Sequence, residues 1–288
     1  MKTFIYKKIG NSEIKGDYYP AKTEQAPLIV YIHGGGLIWG TRDDLNKEQL
    51  ALYNDAGYSV FTIDYRLAPE TKLPDIVLDV EDCLKWIFGE GKEQLGYDAS
   101  KVAVIGSSAG GYLSLLTGTF SIKPKAIVSF YGYGNILGGW YRMPSRHFNK
   151  DTKVPETLAR QLIGKEPISA APIEKRYGIY LFCRQQGKWL DYVTGLNPIL
   201  DSSQLNAYCP AVTADEHFPP TLLLHGDADD DVPYEESVNM AKRLSALGVE
   251  NKLITIPDGA HQFDLEMDKP VVQNAFKEVL IFLNTHLS

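Results

Sequence analysis

The sequence predicts an α/β fold, a mostly parallel central sheet with helices on both faces and a cap region inserted into it. Three observations carry that expectation. Short apolar, β-branched runs alternate with segments of helical spacing along most of the 288 residues, and repeated strand–helix units imply parallel strands joined by crossovers. The alternation stops over residues 131–218 and then resumes. The glycine-rich and histidine-bearing motifs fall just after predicted strands, where open parallel sheets gather their chemistry.

Taken in order, Thr3 to Ile9 and Glu13 to Tyr19 alternate in character around Gly10, Asn11 and Ser12, which reads as an opening hairpin. Pro27 to Ile32 is a buried-type strand running into His33-Gly34-Gly35-Gly36. A helix is expected from Asp44 to Asp55, closed by Gly57. Tyr58 to Ile63 is the next strand, leading into Asp64-Tyr-Arg66-Leu-Ala-Pro-Glu70. Pro74 to Phe88 places Ile76, Val77, Val80, Leu84 and Ile87 on one helical stripe.

Val102 to Ile105 then form a strand buried on both faces, and Leu113, Leu115 and Leu116 mark the helix that follows Ala109. Between them stands Gly106-x-Ser108-x-Gly110, the spacing of a nucleophile elbow. A serine on so tight a strand-to-helix turn is strained, and the chain crowds itself two residues to either side. Glycine, with no Cβ, fits those places.

Lys125 to Phe130 is a further strand, after which residues 131–218 are rich in aromatics, prolines and glycines without a strand–helix beat. That stretch is too long for a bare loop and reads as an inserted cap. Thr221 to His225 restores the beat, followed by a helix from Pro233 to Leu247 with Gly248 beyond it. Asn251 to Ile256 is the last strand and Pro270 to His286 the closing helix.

Bulk properties narrow the function. A hydrophobic content of 44% over this length supports one large core with an insertion, or two small domains. A net charge of −7 without a Lys/Arg cluster argues against a nucleic-acid surface. The N-terminal stretch lacks the pattern of a secretory signal, and no apolar run approaches membrane-spanning length. Cys83, Cys183 and Cys209 are odd in number, far apart and without metal-ligand spacing, so reduced packing residues are expected. A cytoplasmic enzyme without metal or organic cofactor is the expectation.

A serine hydroxyl needs a base to take its proton, and the base needs a carboxylate to orient it. His261 lies between the last strand and the last helix, the usual address for the base when the order is Ser, acid, His. Among the other five histidines, His225 reads as structural and His33 as a brace for the glycine loop, while His147, His217 and His286 lack supporting context. The acid must come from Asp227, Asp229, Asp230 or Asp231, and spacing alone does not choose among them. Asp231 is also a candidate cap for the helix opened by Pro233. Gly34 to Gly36 and Ala109 can offer bare backbone N–H groups to an oxyanion, and removing one such donor typically costs about 3–4 kcal/mol of transition-state stabilisation.

With these pieces assembled, the chain resembles the α/β-hydrolase family in its hormone-sensitive-lipase-like carboxylesterase branch. The resemblance rests on His33-Gly-Gly-Gly36, Asp64-Tyr-Arg-Leu-Ala-Pro-Glu70, Gly106-Ser-Ser-Ala-Gly-Gly111, His225-Gly-x-x-Asp229-x-x-Val-Pro233 and Gly259-Ala-His261, in that order, over roughly residues 27 to 285. It implies a single α/β-hydrolase domain over residues 1–288 with 131–218 as its inserted cap. It also implies Asp229 as the acid, Gly35 and Gly36 as oxyanion donors beside Ala109, and a scaffold role for Asp64 and Arg66. The chain departs from many relatives in having only about twenty-five residues before the first central strand, too few for a helical N-terminal lid.

The expected activity is therefore hydrolysis of small, fairly apolar carboxylic esters through an acyl-enzyme on Ser108. Trp140, Tyr141, Met143 and Phe182 are the candidate pocket residues, from a wider set that includes Phe148, Tyr180 and Trp189. Two rival classes share the scaffold: an amide- or peptide-bond hydrolase, and a non-catalytic ligand-binding protein. The second should have lost a triad member, whereas all three are present in the sequence.

Overall fold

A computed structural model describes residues 1–10 and 12–288. Asn11, the middle residue of the expected hairpin turn, lies outside the described residues. An eight-stranded sheet runs through the molecule in the order β1-β2-β4-β3-β5-β6-β7-β8. The strands are β1 (Lys2–Ile9), β2 (Ser12–Tyr19), β3 (Leu28–Ile32), β4 (Ser59–Ile63), β5 (Val102–Ser107), β6 (Ala126–Phe130), β7 (Thr221–Gly226) and β8 (Asn251–Ile256). β1 and β2 form the expected antiparallel hairpin, with a register shift between Ile5 and Lys7, and β2 joins β4 antiparallel. The remaining neighbours, from β4 through β8, pair in parallel.

Alternation along the strands sorts the core into layers. Leu28, Val30 and Ile32 of β3, with Val102 and Val104 of β5, face one side. There they meet α2 (Leu73–Trp86) and, beyond the short helix α3 (Lys92–Leu95), the wholly buried α4 (Ala109–Thr117). Ile29 and Tyr31, with Ala103 and Ile105, face the opposite side and meet α1 (Lys47–Asp55) and the closing helix. This is the two-residue period of a pleated strand expressed as two cores. In α2, Ile76, Val80, Cys83 and Leu84 supply the buried stripe.

Helix boundaries depart from the sequence expectation where local caps intervene. Instead of one helix from Asp44, a 3₁₀ turn spans Arg42–Asp44 and α1 begins at Lys47. Asp44 is spent on a capping box with Thr41, and the Asn46 side chain accepts from the Glu48 N–H at 2.7 Å, which starts the real helix. The helix expected to close at Phe88 ends at Trp86 and passes into a π-type turn, Ile87–Gly91.

Between β6 and β7 the described residues form no strand. They hold α5 (Gly139–Arg142), α6 (Glu156–Gln161), α7 (Ile173–Gln186), α8 (Trp189–Thr194), α9 (Ser202–Asn206) and α10 (Pro210–Thr213). Named ties fasten this stretch to the rest. Arg176 of α7 donates to the Ile38 carbonyl at 3.0 Å, to the Ala68 carbonyl at 2.6 Å and to both carboxylate oxygens of Glu70. The Trp189 indole donates to the Gly36 carbonyl at 2.9 Å. α11 (Glu235–Ala246) and α12 (Pro270–Leu287) complete the fold. Phe276, Val279 and Leu283 of α12 are buried under the sheet, each contributing about 1.5–3 kcal/mol by burial. The three cysteines are free and buried.

Candidate active site

β3, β5, β7 and β8 all end at one edge, so their following loops meet there. Ser108 stands at the end of β5 with φ 55° and ψ −120°, a strained conformation for a residue with a side chain. Two glycines permit the turn. A Cβ on Gly106 would lie 2.2 Å from the Gly110 carbonyl oxygen, and one on Gly110 would lie 2.0 Å from the Ile32 carbonyl oxygen. The elbow thus exists only where the first turn of α4 can touch the backbones of β5 and β3.

The loop after β8 brings His261 to this serine. Its Nε2 lies 3.1 Å from Ser108 Oγ and its Nδ1 lies 2.7 Å from Asp229 Oδ2. With Nδ1–H donating to the carboxylate, Nε2 is left as the acceptor of the serine proton. Burial disfavours a charged imidazole here. The hydrogen bond to Asp229 and the charges of Asp231, Asp229 and Asp264 outweigh burial, and the pKa is raised above its ordinary 6.5.

Asp229 sits on the turn after β7 with its side chain out of solvent. Its Oδ1 accepts the Asp231 and Val232 N–H groups, each at 2.9 Å. Oδ2 accepts from His261 and lies 3.3 Å from His225 Nε2. Burial alone would raise this carboxyl. The hydrogen bonds from His225 and His261 reverse that and hold it well below the usual carboxylate range. His225 Nε2 also faces the Val232 carbonyl at 3.0 Å and Nδ1 faces Ser237 Oγ at 2.7 Å, which makes Nε2 the protonated nitrogen.

The glycine loop lies beside the elbow. A Cβ on Gly34 would come within 3.3 Å of Ser108 Cβ. Gly35 and Gly36 take φ of 91° and 60°, and a Cβ on Gly36 would strike the Tyr180 ring at 2.6 Å. The N–H groups of Gly35, Gly36 and Ala109 donate to no protein acceptor among the described residues. His33 braces the loop as expected. Its Nδ1 bonds the Gly34 carbonyl at 2.9 Å, and its ring stacks on Tyr65, whose hydroxyl donates to the His33 and Gly34 carbonyls. Asp64 and Arg66 are scaffold: Asp64 receives Arg42 at 2.7 Å, and Arg66 forks onto Asp79 at 2.7 and 2.8 Å.

A cavity of about 750 Å³ opens over Ser108 and His261, lined by the glycine loop and by Tyr31, Trp39, Tyr131, Phe148, Tyr177 and Tyr180. Trp140, Tyr141, Met143 and Phe182, expected as pocket residues, do not line it. Tyr141 stacks between Trp140 and Trp189 at centroid distances of 3.6 and 3.9 Å, so these rings bury one another. Phe182 packs on Tyr192, and Met143 is 62% exposed. On α7 the cavity receives Ile173, Glu174, Tyr177 and Tyr180, one helical stripe, and Phe182 falls on the opposite side of the helix.

Sequence reasoning passed over Tyr131 and Arg184 and gave Asp231 a different place. Tyr131, the residue after β6, packs its ring 4.6 Å from that of His261 and donates its hydroxyl to Asp264 Oδ1 at 2.6 Å. Its place after a strand next to β5 was the available signal. Asp231 does not cap α11, whose N-cap position is Tyr234. Its Oδ1 instead accepts from Tyr180 Oη at 2.6 Å and from Arg184, which also donates to its carbonyl at 2.9 Å. Arg184 had no sequence signal at all.

Among the described residues no cluster of three or more His, Cys, Asp or Glu side chains is arranged to hold a metal ion, and no helix is long and apolar enough to cross a membrane. A family model described as the alpha/beta hydrolase fold matches residues 29–265. The chain superposes on a protein of unknown function from Staphylococcus aureus with TM-score 0.82 and 25% identity, each chain covered completely. It superposes on the esterase LipW of Mycobacterium marinum with TM-score 0.70 and 24% identity, covering 99% of this chain and 81% of that one. It is also 28% identical, over 99% of its length, to part of the non-reducing polyketide synthase ausA of Emericella nidulans, of which it spans 14%.

Proposed function

The chain belongs to the α/β-hydrolase fold family, in its hormone-sensitive-lipase-like branch, and from that premise we propose that it is a serine carboxylesterase acting on small esters through an acyl-enzyme. The observation that carries the reading is the continuous relay Ser108 Oγ, His261 Nε2, His261 Nδ1, Asp229 Oδ2, at 3.1 and 2.7 Å, beside three unengaged backbone donors.

In this reading Ser108 Oγ attacks the ester carbonyl carbon while its proton passes to His261 Nε2. The carbonyl oxygen becomes an oxyanion that the N–H groups of Gly35, Gly36 and Ala109 receive, with α4 behind Ala109 favouring the negative charge. The carbon–alkoxy bond then breaks, and the leaving oxygen takes the proton back from Nε2. Water, deprotonated by the same nitrogen, attacks the acyl-serine. The oxyanion forms again, the carbon–Oγ bond breaks, and Ser108 regains its proton as the acid leaves. Asp229 stays ionised throughout and stabilises the imidazolium.

Labelling of the folded protein with a fluorophosphonate, followed by peptide mapping, tests the nucleophile. Modification at Ser108 that is abolished in Ser108→Ala supports the proposal, and a folded protein that stays unlabelled refutes it. Turnover of matched aryl ester and anilide substrates separates an esterase from an amidase.

A further inference from the structure

Asp231 is a cavity carboxylate with Oδ1 hydrogen-bonded by buried side chains and Oδ2 open. Its Oδ1 accepts from Tyr180 Oη and Arg184, while no protein donor among the described residues comes within hydrogen-bonding distance of Oδ2. His261 Nε2 lies 3.9 Å from Oδ2. Arg184 balances part of the Asp231 charge from behind but leaves Oδ2 free to accept a hydrogen bond. Its side chain is 2% exposed, its guanidinium lies about 5 Å from the rings of Trp140, Tyr141, Phe148 and Tyr180, and it approaches the carboxylate at Oδ1. The same hydrogen bonds stop the carboxylate from turning.

The rest of the wall has the same sign. Asp44, Glu174 and Asp230 also line the cavity; among the described residues no Lys or Arg does, and the one facing base besides His261 is His147, 3.3 Å from Asp230. Such a wall is more polar than fairly apolar esters would favour. It repels a substrate carboxylate and attracts a cation, with aromatic faces available to the alkyl groups around it.

Position then says which part of the substrate is read. His261 Nε2 returns its proton to the alkoxy oxygen, so a group beside Nε2 lies on the alcohol side of the ester. We propose that Asp231 is a specificity-determining residue that accepts a hydrogen bond from a protonated amine on the leaving alcohol, two or three atoms from the ester oxygen. The substrate class is thus the amino-alcohol ester, and anionic alcohols are excluded. This assignment rests on the esterase reading above.

Three near-isosteric acetates test it at pH 7: 2-(dimethylamino)ethyl acetate (protonated), 3-methylbutyl acetate (neutral) and 3-acetoxypropanoate (anionic). The cationic ester should exceed the neutral one in kcat/KM by about tenfold and the anionic ester should fall about tenfold below it, the scale of one hydrogen bond to a charged group. Both ratios should collapse to within about threefold in Asp231→Asn, each read inside one protein so that a general loss of activity cancels. Competitive inhibition of the native protein by protonated 2-(dimethylamino)ethanol, stronger than by 3-methylbutan-1-ol, reads the same contact should the variant not fold. Equal turnover of the cationic and neutral esters, equal inhibition by the two alcohols, or a preference that survives in Asp231→Asn overturns the assignment alone. A protein that hydrolyses none of the three overturns the esterase reading and the assignment with it.

Discussion

His225 and Asp229 face each other across the turn after β7, with His225 Nε2 3.3 Å from the same carboxylate oxygen that receives His261. Asp229 therefore sits between two imidazoles, one buried and fixed by Ser237 and Val232, the other open to the cavity. His225 is structural, as its place at a strand end suggested, but what it stabilises is the ionised form and the orientation of Asp229.

Replacing His225 by Ala leaves the Val232 carbonyl and the Ser237 hydroxyl without their partner in a buried place. The expected loss is about 1–3 kcal/mol of stability, measured by urea unfolding. The turn carrying Asp229 loosens as well, so kcat should fall with little change in KM.

Activity should be lost as pH drops, because a protonated His261 cannot accept the Ser108 proton. Burial opposes that protonation, but the hydrogen bond to Asp229 and the charges of Asp231, Asp229 and Asp264 prevail, so the acid limb of kcat/KM lies above pH 6.5. Asp229→Asn should lower kcat by roughly three to four orders of magnitude. Asp231→Asn should move the acid limb to lower pH, because it removes one of the charges that raises this histidine. A limb unmoved by Asp231→Asn would contradict that placement of the charge.

Gly110→Ala is the severest small change available in the elbow. Its methyl would occupy space 2.0 Å from the Ile32 carbonyl oxygen, and backbone cannot step aside as a flexible side chain can. The expected outcome is a loss above about 4 kcal/mol or no soluble protein, an effect confined to sites of real overlap. Gly57→Ala separates overlap from backbone strain: no described atom outside its chain neighbours lies within 4 Å of its Cβ position, but its φ of 94° strains an alanine, so a smaller loss of about 1–3 kcal/mol is expected.

Glu236 offers a pH test away from the cavity. Burial pushes its carboxyl up to about 7, against the hydrogen bonds from Trp140 Nε1 at 3.1 Å and the Asn135 N–H at 3.3 Å. A carboxyl whose folded pKa lies above its unfolded value contributes stability below about pH 4.5 that is lost as pH rises through 7. The melting temperature of Glu236→Gln relative to the native protein should therefore increase from pH 5 to pH 8. A constant difference across that range would show that the carboxyl does not titrate there.

What was legible in the sequence was whatever steric crowding restricts to a few residue types. Gly106 and Gly110 announce the elbow because no side chain fits between β5, α4 and β3, and the strands announce themselves through two-sided burial. Ser108, Asp229 and His261 were named in advance, and the structure brings them within hydrogen-bonding reach. Helix starts were less legible, since Asn46 rather than Asp44 opens α1, Asp44 being engaged in the Thr41 capping box. The wall of the cavity was not legible. Trp140 and Tyr141 have the composition of a pocket, yet Tyr141 is stacked between Trp140 and Trp189 instead. The Arg184–Asp231 contact joins residues 47 apart through an unpatterned stretch and leaves no local trace.

The region between β6 and β7 is stitched into the loops it overhangs: Trp189 onto the Gly36 carbonyl, Arg176 onto Glu70 and Ile38, Arg184 onto Asp231. It is consequently no interchangeable part. A chimera that imports this region from a relative must import the matching acceptors too, or it will arrive with guanidinium groups that have nowhere to dock. Lineages that remodel α7 should be found to have rewritten the turns beneath it in the same step.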